Sequence, residues 1–363
     1  MTQYKLLTPG PLTTTAVVKA QMMEDRCTWD EEYKQLTQEI RQALLEVGQA
    51  NQYYTTVLQQ GSGSFVVESV LQTSLASNDH ILIISNGAYG ERMVAMAETL
   101  QQKVTAYRVP FNEQPDITVL QQMIQANQSI THIAFVHCET TTGMLNPLSL
   151  LCDFAQKNDL KVIVDAMSSF GGMPIDIAGL NIDYLISSAN KCIQGVPGFG
   201  FVIAKKAVLE QCKGNAQSVV LDLYEQWKVM EQDGKWRFTS PTHVVAAFKQ
   251  ALNELTQEGG VEARYQRYQQ NNDYLIAQMK ILGFEPYIDS ELQSPIITTF
   301  LYPDHQFNFN DFYQHMKAQG YVLYPGKLME VPSFRIGNIG DLHRQDFEVL
   351  IHLIKDYQEK RGV

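Results

Sequence analysis

The 363-residue chain has no CxxC pair and only five cysteines, Cys27, Cys138, Cys152, Cys192 and Cys212, an odd number that no disulfide framework requires. With no secretory apolar segment at the N-terminus, these thiols suit a reducing compartment, and a cytoplasmic protein is expected. No apolar run approaches the roughly 18 residues that a membrane span needs, so a membrane-bound protein is not expected. Basic residues are also scarce. Lys and Arg number 28 against 39 Asp and Glu, leaving a net charge of −11. That balance argues against nucleic acid or an anionic membrane as the main partner, because either needs a basic surface. Any anion must then be held locally. Nucleotide fingerprints are missing as well: the third glycine of GxGxxG is absent and no Walker A loop occurs, which counts against a nicotinamide oxidoreductase.

What is present is ordinary for a globular protein, 45% hydrophobic and 18% charged. The length exceeds what one core usually serves, which predicts a large domain with a smaller one. Seven short apolar runs read as strands: YTTVL (54–58), ILIIS (81–85), KVTAYRV (103–109), HIAFVH (132–137), KVIVDA (161–166), YLISS (184–188) and GFVIAK (200–205). Most are apolar at consecutive positions, as in strands covered on both faces. Helical patterns follow from 64, 90, 117 and 147, so an α/β fold with a mainly parallel seven-stranded sheet between helices is predicted for 12–255. After an amphipathic segment at 261–283, strand-like 295–302, helical 310–320, strand-like 321–326 and 333–337 and a helix from about 343 predict a smaller α+β domain over 256–363. Residues 1–11 are expected to form an N-terminal segment near the active site.

Ligands of open α/β sheets lie beyond the carboxyl ends of the parallel strands, so the residues following each strand carry the information. QGSGSFVVES (60–69) offers turns at Gly61 and Gly63 and a helix start at Ser62 and Ser64, where free N–H groups and the helix dipole can cradle a phosphate. SNGAYGERM (85–93) places Tyr89 at another helix start, where an aromatic can stack on a planar ring. HCETTTGMLNP (137–147) supplies Glu139 and three threonine hydroxyls. Asp165 ends an apolar strand, and a bare carboxylate there suits a protonated ring nitrogen. Lys191, in SSANKCIQGVPG (187–198), follows the sixth strand; a desolvated lysine is a nucleophile for an aldehyde. Each has a plainer explanation alone: an N-cap, a loop plug, a turn cap, an ion pair, a lysine reaching for solvent. Phosphate cradle, stacking aromatic, acid and lysine, in that order after successive strands, fit one ligand, pyridoxal 5′-phosphate.

These blocks, together with LLTPGPLTTTAVVKAQMMEDRCTWDEEY (6–33), resemble the class V aminotransferases of fold-type I over nearly the whole chain. Within that family they are similar to the branch that exchanges an amino group between 2-aminoethylphosphonate and pyruvate, which the resemblance implies as substrates. The resemblance places Lys191 where relatives attach the cofactor aldehyde and Asp165 at the pyridine nitrogen. It puts Tyr89 on the ring, Ser62, Gly63 and Ser64 around the phosphate, and Thr140 near the ring hydroxyl. WRFTSPT (236–242) resembles the segment that reaches the partner's phosphate, which implies a homodimer with Thr239 acting in trans. Arg335 in SFRIG (333–337) falls at the family's substrate-anion position. Cys192 receives no role. Aminotransferases acting on alanine, serine or glyoxylate remain alternatives. Cysteine desulfuration is disfavoured, since all five cysteines precede residue 213. A non-catalytic regulator would be expected to carry a DNA-binding segment, for which this chain has no added length.

Overall fold

The computed structural model describes residues 4–328 and 331–362. All seven predicted strands form and enter one sheet: β1 (Tyr54–Gln60), β2 (His80–Ser85), β3 (Lys103–Arg108), β4 (His132–Val136), β5 (Lys161–Asp165), β6 (Tyr184–Ser188) and β7 (Phe199–Lys205). Their spatial order is β1-β7-β6-β5-β4-β2-β3, and only β7 runs antiparallel to its neighbours. The consecutive apolar positions have the expected cause. In β5, Val162 and Val164 enter the core on one face while Ile163 enters the core on the other. Helices α1 (Glu31–Val47), α4 (Ile117–Ala126), α5 (Leu148–Lys157) and α7 (Thr242–Glu258) cover the first face. Helices α2 (Gly63–Ser74), α3 (Ala88–Thr99) and α6 (Leu223–Asp233) cover the second.

The register sets up the site. Gln60 pairs with Phe199, Gly200 with Ser188, and Val136 with Asp165, so the segments leaving β1, β4, β5 and β6 emerge along one edge. Helix α7 stops at Gly259, whose φ of +108° favours glycine, and the chain turns into the long α8 (Gly260–Ile281). Beyond it, β8 (Ile297–Leu301), β9 (Tyr324–Pro325) and β10 (Ser333–Gly337) form an antiparallel sheet packed with α9 (Phe309–Ala318) and α10 (Arg344–Arg361) around Phe284, Phe300, Phe312 and Phe334. The segment predicted as one strand over 321–326 is divided. Tyr321–Val322 pairs in parallel with Lys5–Leu6, whereas Tyr324–Pro325 pairs with β10. Between them Leu323 is buried in the small core, and Pro325 has no N–H to continue a ladder. Among the described residues, no helix is long and apolar enough to cross a membrane.

Phe248 of α7 meets Phe199 of β7 edge-on at 5.0 Å and is fully buried. Phe248→Ala should lower the unfolding free energy by about 3–5 kcal/mol, as truncation of a buried aromatic does. Denaturant titration followed by circular dichroism checks this.

Candidate active site

A cleft of about 530 Å³ opens at the carboxyl edge of the sheet and brings together Ser62, Gly63, Ser64, Tyr89, Asp165 and Lys191. Its first wall is the turn from β1 into α2. Gly61 has φ +119° and donates its N–H to Gly198 O at 3.0 Å, which ties this turn to the start of β7. Ser62 is the N-cap residue of α2, and its side chain makes no capping bond. The N–H groups of Gly63 and Ser64 donate to no acceptor among the described residues, leaving the helix N-terminus with donors for an anion. Arg92 of α3 donates to Ser64 Oγ at 3.1 Å, bringing a cation beside that turn.

Tyr89 owes its position to a carboxylate from another loop. Glu139 is fully buried and accepts bonds from the N–H groups of Tyr89 (3.1 Å), Gly90 (3.2 Å) and Thr141 (3.0 Å) and from Thr141 Oγ1 (2.6 Å). It therefore caps α3 and offsets the positive end of the helix dipole. Gly87 is required by this approach: a Cβ there would lie 2.2 Å from Glu139 Cδ. The two strand-end loops are thus one unit, which their separation in the sequence conceals.

Asp165 is buried at the end of β5. One carboxylate oxygen accepts the Met167 N–H at 2.9 Å, and the other has no partner among the described residues. Burial pushes its carboxyl up to about 6, opposed by the Met167 bond and assisted by the neighbouring Glu139 charge. Lys191 forms no ion pair among the described residues; its Nζ donates to Pro9 O at 2.5 Å. Burial pulls its amine below the ordinary lysine value. The N-terminal segment lies directly over it. Gly10 has φ +122°, and a Cβ there would come within 2.9 Å of Lys191 Cδ. The turn bearing Lys191 closes through Gly195 N–H to Ala189 O at 2.9 Å. It is held from α8, with Arg264 Nη1 donating to Cys192 O at 2.8 Å and Gln194 Nε2 to Tyr268 Oη at 2.7 Å. Cys192 donates its Sγ–H to Ser168 O at 3.2 Å, and burial pushes the thiol up to about 12.

Arg335 on β10 lies just outside the cleft lining and is buried, 3% exposed. Its Nε donates to Pro325 O at 3.0 Å and its Nη1 to Thr140 O at 2.8 Å, while no carboxylate pairs with it among the described residues. The salt bridge that would explain a lone buried arginine is therefore not what holds it. Thr140 is buried, does not line the cleft, and meets Arg335 through that carbonyl. Thr239 is not brought to the cleft of its own chain and is exposed. The sequence reading also missed two cations, Arg92 and Lys327. The Lys327 Nζ lies 4.0 Å from the centroid of the Tyr89 ring, and the Arg92 guanidinium 5.0 Å from it.

A desolvated amine, a carboxylate facing a cleft and a helix start with unpartnered N–H groups, all at the carboxyl edge of a mostly parallel sheet, are the features of a fold-type I pyridoxal phosphate enzyme. The chain belongs to the class-V aminotransferases, whose family model matches residues 17–347. It is 60% identical over 358 residues to the 2-aminoethylphosphonate–pyruvate transaminase of Lysinibacillus sphaericus, covering 98% of each chain. It is 54% identical to the same-named protein of Klebsiella pneumoniae subsp. pneumoniae, covering 97% of this chain and 96% of that one. Among solved structures, alanine–glyoxylate aminotransferase from Nostoc sp. superposes with a TM-score of 0.88 at 23% identity, over 98% of this chain and 95% of that chain. Pyridoxamine–pyruvate aminotransferase from Mesorhizobium loti gives 0.91 at 20%, over 100% and 94%. The protein is an aminotransferase and its cofactor is pyridoxal 5′-phosphate. The unpartnered N–H groups of Gly63 and Ser64, the Asp165 oxygen without a partner among the described residues and the Lys191 amine, held only by the Pro9 carbonyl, fit that group.

The raised Asp165 pKa has a signed consequence. Its contribution to stability is fully present below about 4, where the carboxyl is neutral in both states, and is lost as pH rises through about 6. The charged form then costs the cofactor-free protein about 3 kcal/mol. Asp165→Asn, which keeps an acceptor for the Met167 N–H, should therefore stabilise the cofactor-free protein at pH 7.5 but not at pH 4, while weakening retention of pyridoxal phosphate. Denaturant midpoints at the two pH values, with cofactor release on dialysis, test both parts.

Proposed function

We propose that this aminotransferase exchanges an amino group between 2-aminoethylphosphonate and pyruvate, giving phosphonoacetaldehyde and L-alanine, in the breakdown of phosphonates. The observation that carries the reading is Arg335, a buried cation held by two backbone carbonyls, with no acid paired to it among the described residues. A guanidinium so placed offers its remaining N–H groups to an incoming anion through charge-assisted bonds. Each of the four reactant and product molecules carries one anionic group, so one arginine serves both half-reactions in turn. The near full-length identity to proteins named for this reaction supports the same choice.

When bound, pyridoxal phosphate supplies an aldehyde that captures the amine and a ring that accepts electrons as the substrate C–H bond breaks. Around it, Ser62, Gly63 and Ser64 hold the phosphate and Tyr89 covers the ring. Thr140 would serve the ring hydroxyl, and the Asp165 oxygen without a partner among the described residues would keep a proton on the ring nitrogen. The Lys191 amine, desolvated so that its neutral form is favoured, takes up the substrate proton at Nζ and returns it. Exposed Thr239 completes the phosphate site of a second subunit in a homodimer. The chain divides into an N-terminal segment (1–11), a large cofactor-binding domain (12–255) and a smaller domain (256–363), and it acts in the cytoplasm.

Lys191→Ala should abolish turnover, and borohydride, which should fix the cofactor to the Lys191 peptide in the parent, should fix none in the variant. Peptide mass spectrometry reads this directly, and full activity in the variant removes Lys191 from the mechanism. Arg335→Ala should lower kcat/KM for both 2-aminoethylphosphonate and pyruvate by roughly 10- to 100-fold, the loss expected for charge-assisted bonds. Single-turnover assays of the parent with 2-aminoethylphosphonate, alanine and serine test the substrate choice. Conversion of the amino acids alone would reject it.

A further inference from the structure

We infer that Lys327 is a second anion-binding residue of the substrate site, one that favours the phosphonate over the carboxylate; this rests on the reading of the substrates given above. Lys327 follows β9, the strand that pairs with β10 and sets Tyr324 opposite Arg335. The connection holds it close. Gly326 N–H donates to Ser333 O at 3.1 Å, and a Cβ on Gly326 would lie 2.3 Å from that oxygen, so the backbone preceding Lys327 lies against the end of β10. From there the ammonium reaches to 4.0 Å from the Tyr89 ring centroid, over a residue that lines the cofactor cleft. One short hairpin thus delivers two cations, Arg335 and Lys327, toward the same cleft.

Among the described residues, the side-chain charge here is mostly positive. Arg92, Lys327 and Arg335 make no ion pair with any acid among the described residues. Glu139, the described acid whose charge acts on both Lys327 and Arg335, already has both oxygens engaged by Tyr89, Gly90 and Thr141. Burial pulls the Lys327 ammonium below its ordinary value, and the charges of Arg92 and Arg335 act the same way, opposed in part by Glu139. Such a cluster is relieved by an anion carrying more charge than a carboxylate.

The substrates differ in just that respect. A carboxylate has two coplanar oxygens and one charge, which the planar guanidinium fork accommodates. A phosphonate has three tetrahedral oxygens, bears between one and two negative charges near neutral pH, and stands one methylene further from the amine-bearing carbon. An ammonium on a flexible four-carbon stem is a compact charge suited to the third oxygen. Arg335 alone then serves pyruvate and alanine, and Arg335 with Lys327 serves the phosphonate.

The test uses the holoenzyme and its Lys327→Met and Lys327→Arg variants in half-reactions with 2-aminoethylphosphonate, its monoanionic analogue 2-aminoethanesulfonate, and alanine. Lys327→Met should lower kcat/KM for the phosphonate about 10- to 100-fold, chiefly through KM, with a loss for alanine at least fivefold smaller. The preference of the parent for phosphonate over sulfonate should collapse in Lys327→Met and persist in Lys327→Arg. Equal losses for all three amines, or an unchanged phosphonate-to-sulfonate ratio, overturn the inference. Competition against alanine in the parent needs no variant: methylphosphonate should inhibit more tightly than methanesulfonate, and equal inhibition also overturns it. A parent enzyme that converts alanine but not 2-aminoethylphosphonate overturns the substrate reading and this inference with it.

Discussion

An amine withdrawn from water with no acid beside it is the constraint around which this site is built. The Lys191 ammonium would gain most from a carboxylate, yet among the described residues it meets only a backbone carbonyl, that of Pro9. An ion pair would keep the lysine protonated and committed, whereas desolvation favours the neutral nucleophile. The backbone must therefore supply the order that a salt bridge would otherwise give. The turn closes on itself through Gly195, and α8 grips it through Arg264 and through the contact of Gln194 with Tyr268. Arg264 is in turn paired with Glu258 at the end of α7 at 2.8 Å, so two helices fix one turn.

The same economy governs the anion sites. With a net charge of −11, the protein has no general field that would attract a phosphate or a carboxylate. Positive potential is instead concentrated where backbone and side chains are constrained: the start of α2, the Arg92 contact with Ser64, and Arg335 between two carbonyls. Glu139, a buried acid close to them, is consumed in capping α3. Its four bonds occupy both oxygens, so a single carboxylate positions Tyr89 without forming a direct ion pair with the arginines among the described residues.

How much of this is legible in the sequence depends on the range of the interaction. Six of the seven strands can be read because they are buried on both faces and show apolar runs, as KVIVD does in β5, whereas β3 lies at the sheet edge and is only half-buried. Asp165 and Lys191 stand out because charged residues that end such runs are costly without a purpose. Helices α1, α6 and α7 escape the sequence reading, although EEYKQLTQEIRQALLEV repeats its apolar residues at helical spacing. The union of Glu139 with Tyr89 is hidden, since it arises only when β2 lies beside β4. Lys327 is hidden more deeply: it follows Pro325 in irregular backbone, where no periodicity marks a side chain as inward.

The site also draws on both ends of the chain, and that has an energetic consequence. The strand Lys5–Leu6 pairs with Tyr321–Val322, and Leu7 is fully buried in the small core, so the segment that covers Lys191 is anchored in the C-terminal part. Arg335, Lys327, the α8 grip on the Lys191 turn and the Pro9 carbonyl all depend on that part being folded. Gly63, Ser64 and Asp165 depend on the large sheet alone. Loss of the smaller core would leave a cradle able to hold a phosphate and a carboxylate able to hold a ring proton, but would release the amine and the substrate anion site together. The groups proposed for cofactor phosphate and substrate anion thus rest on different cores, and Lys191 stands where their contributions meet.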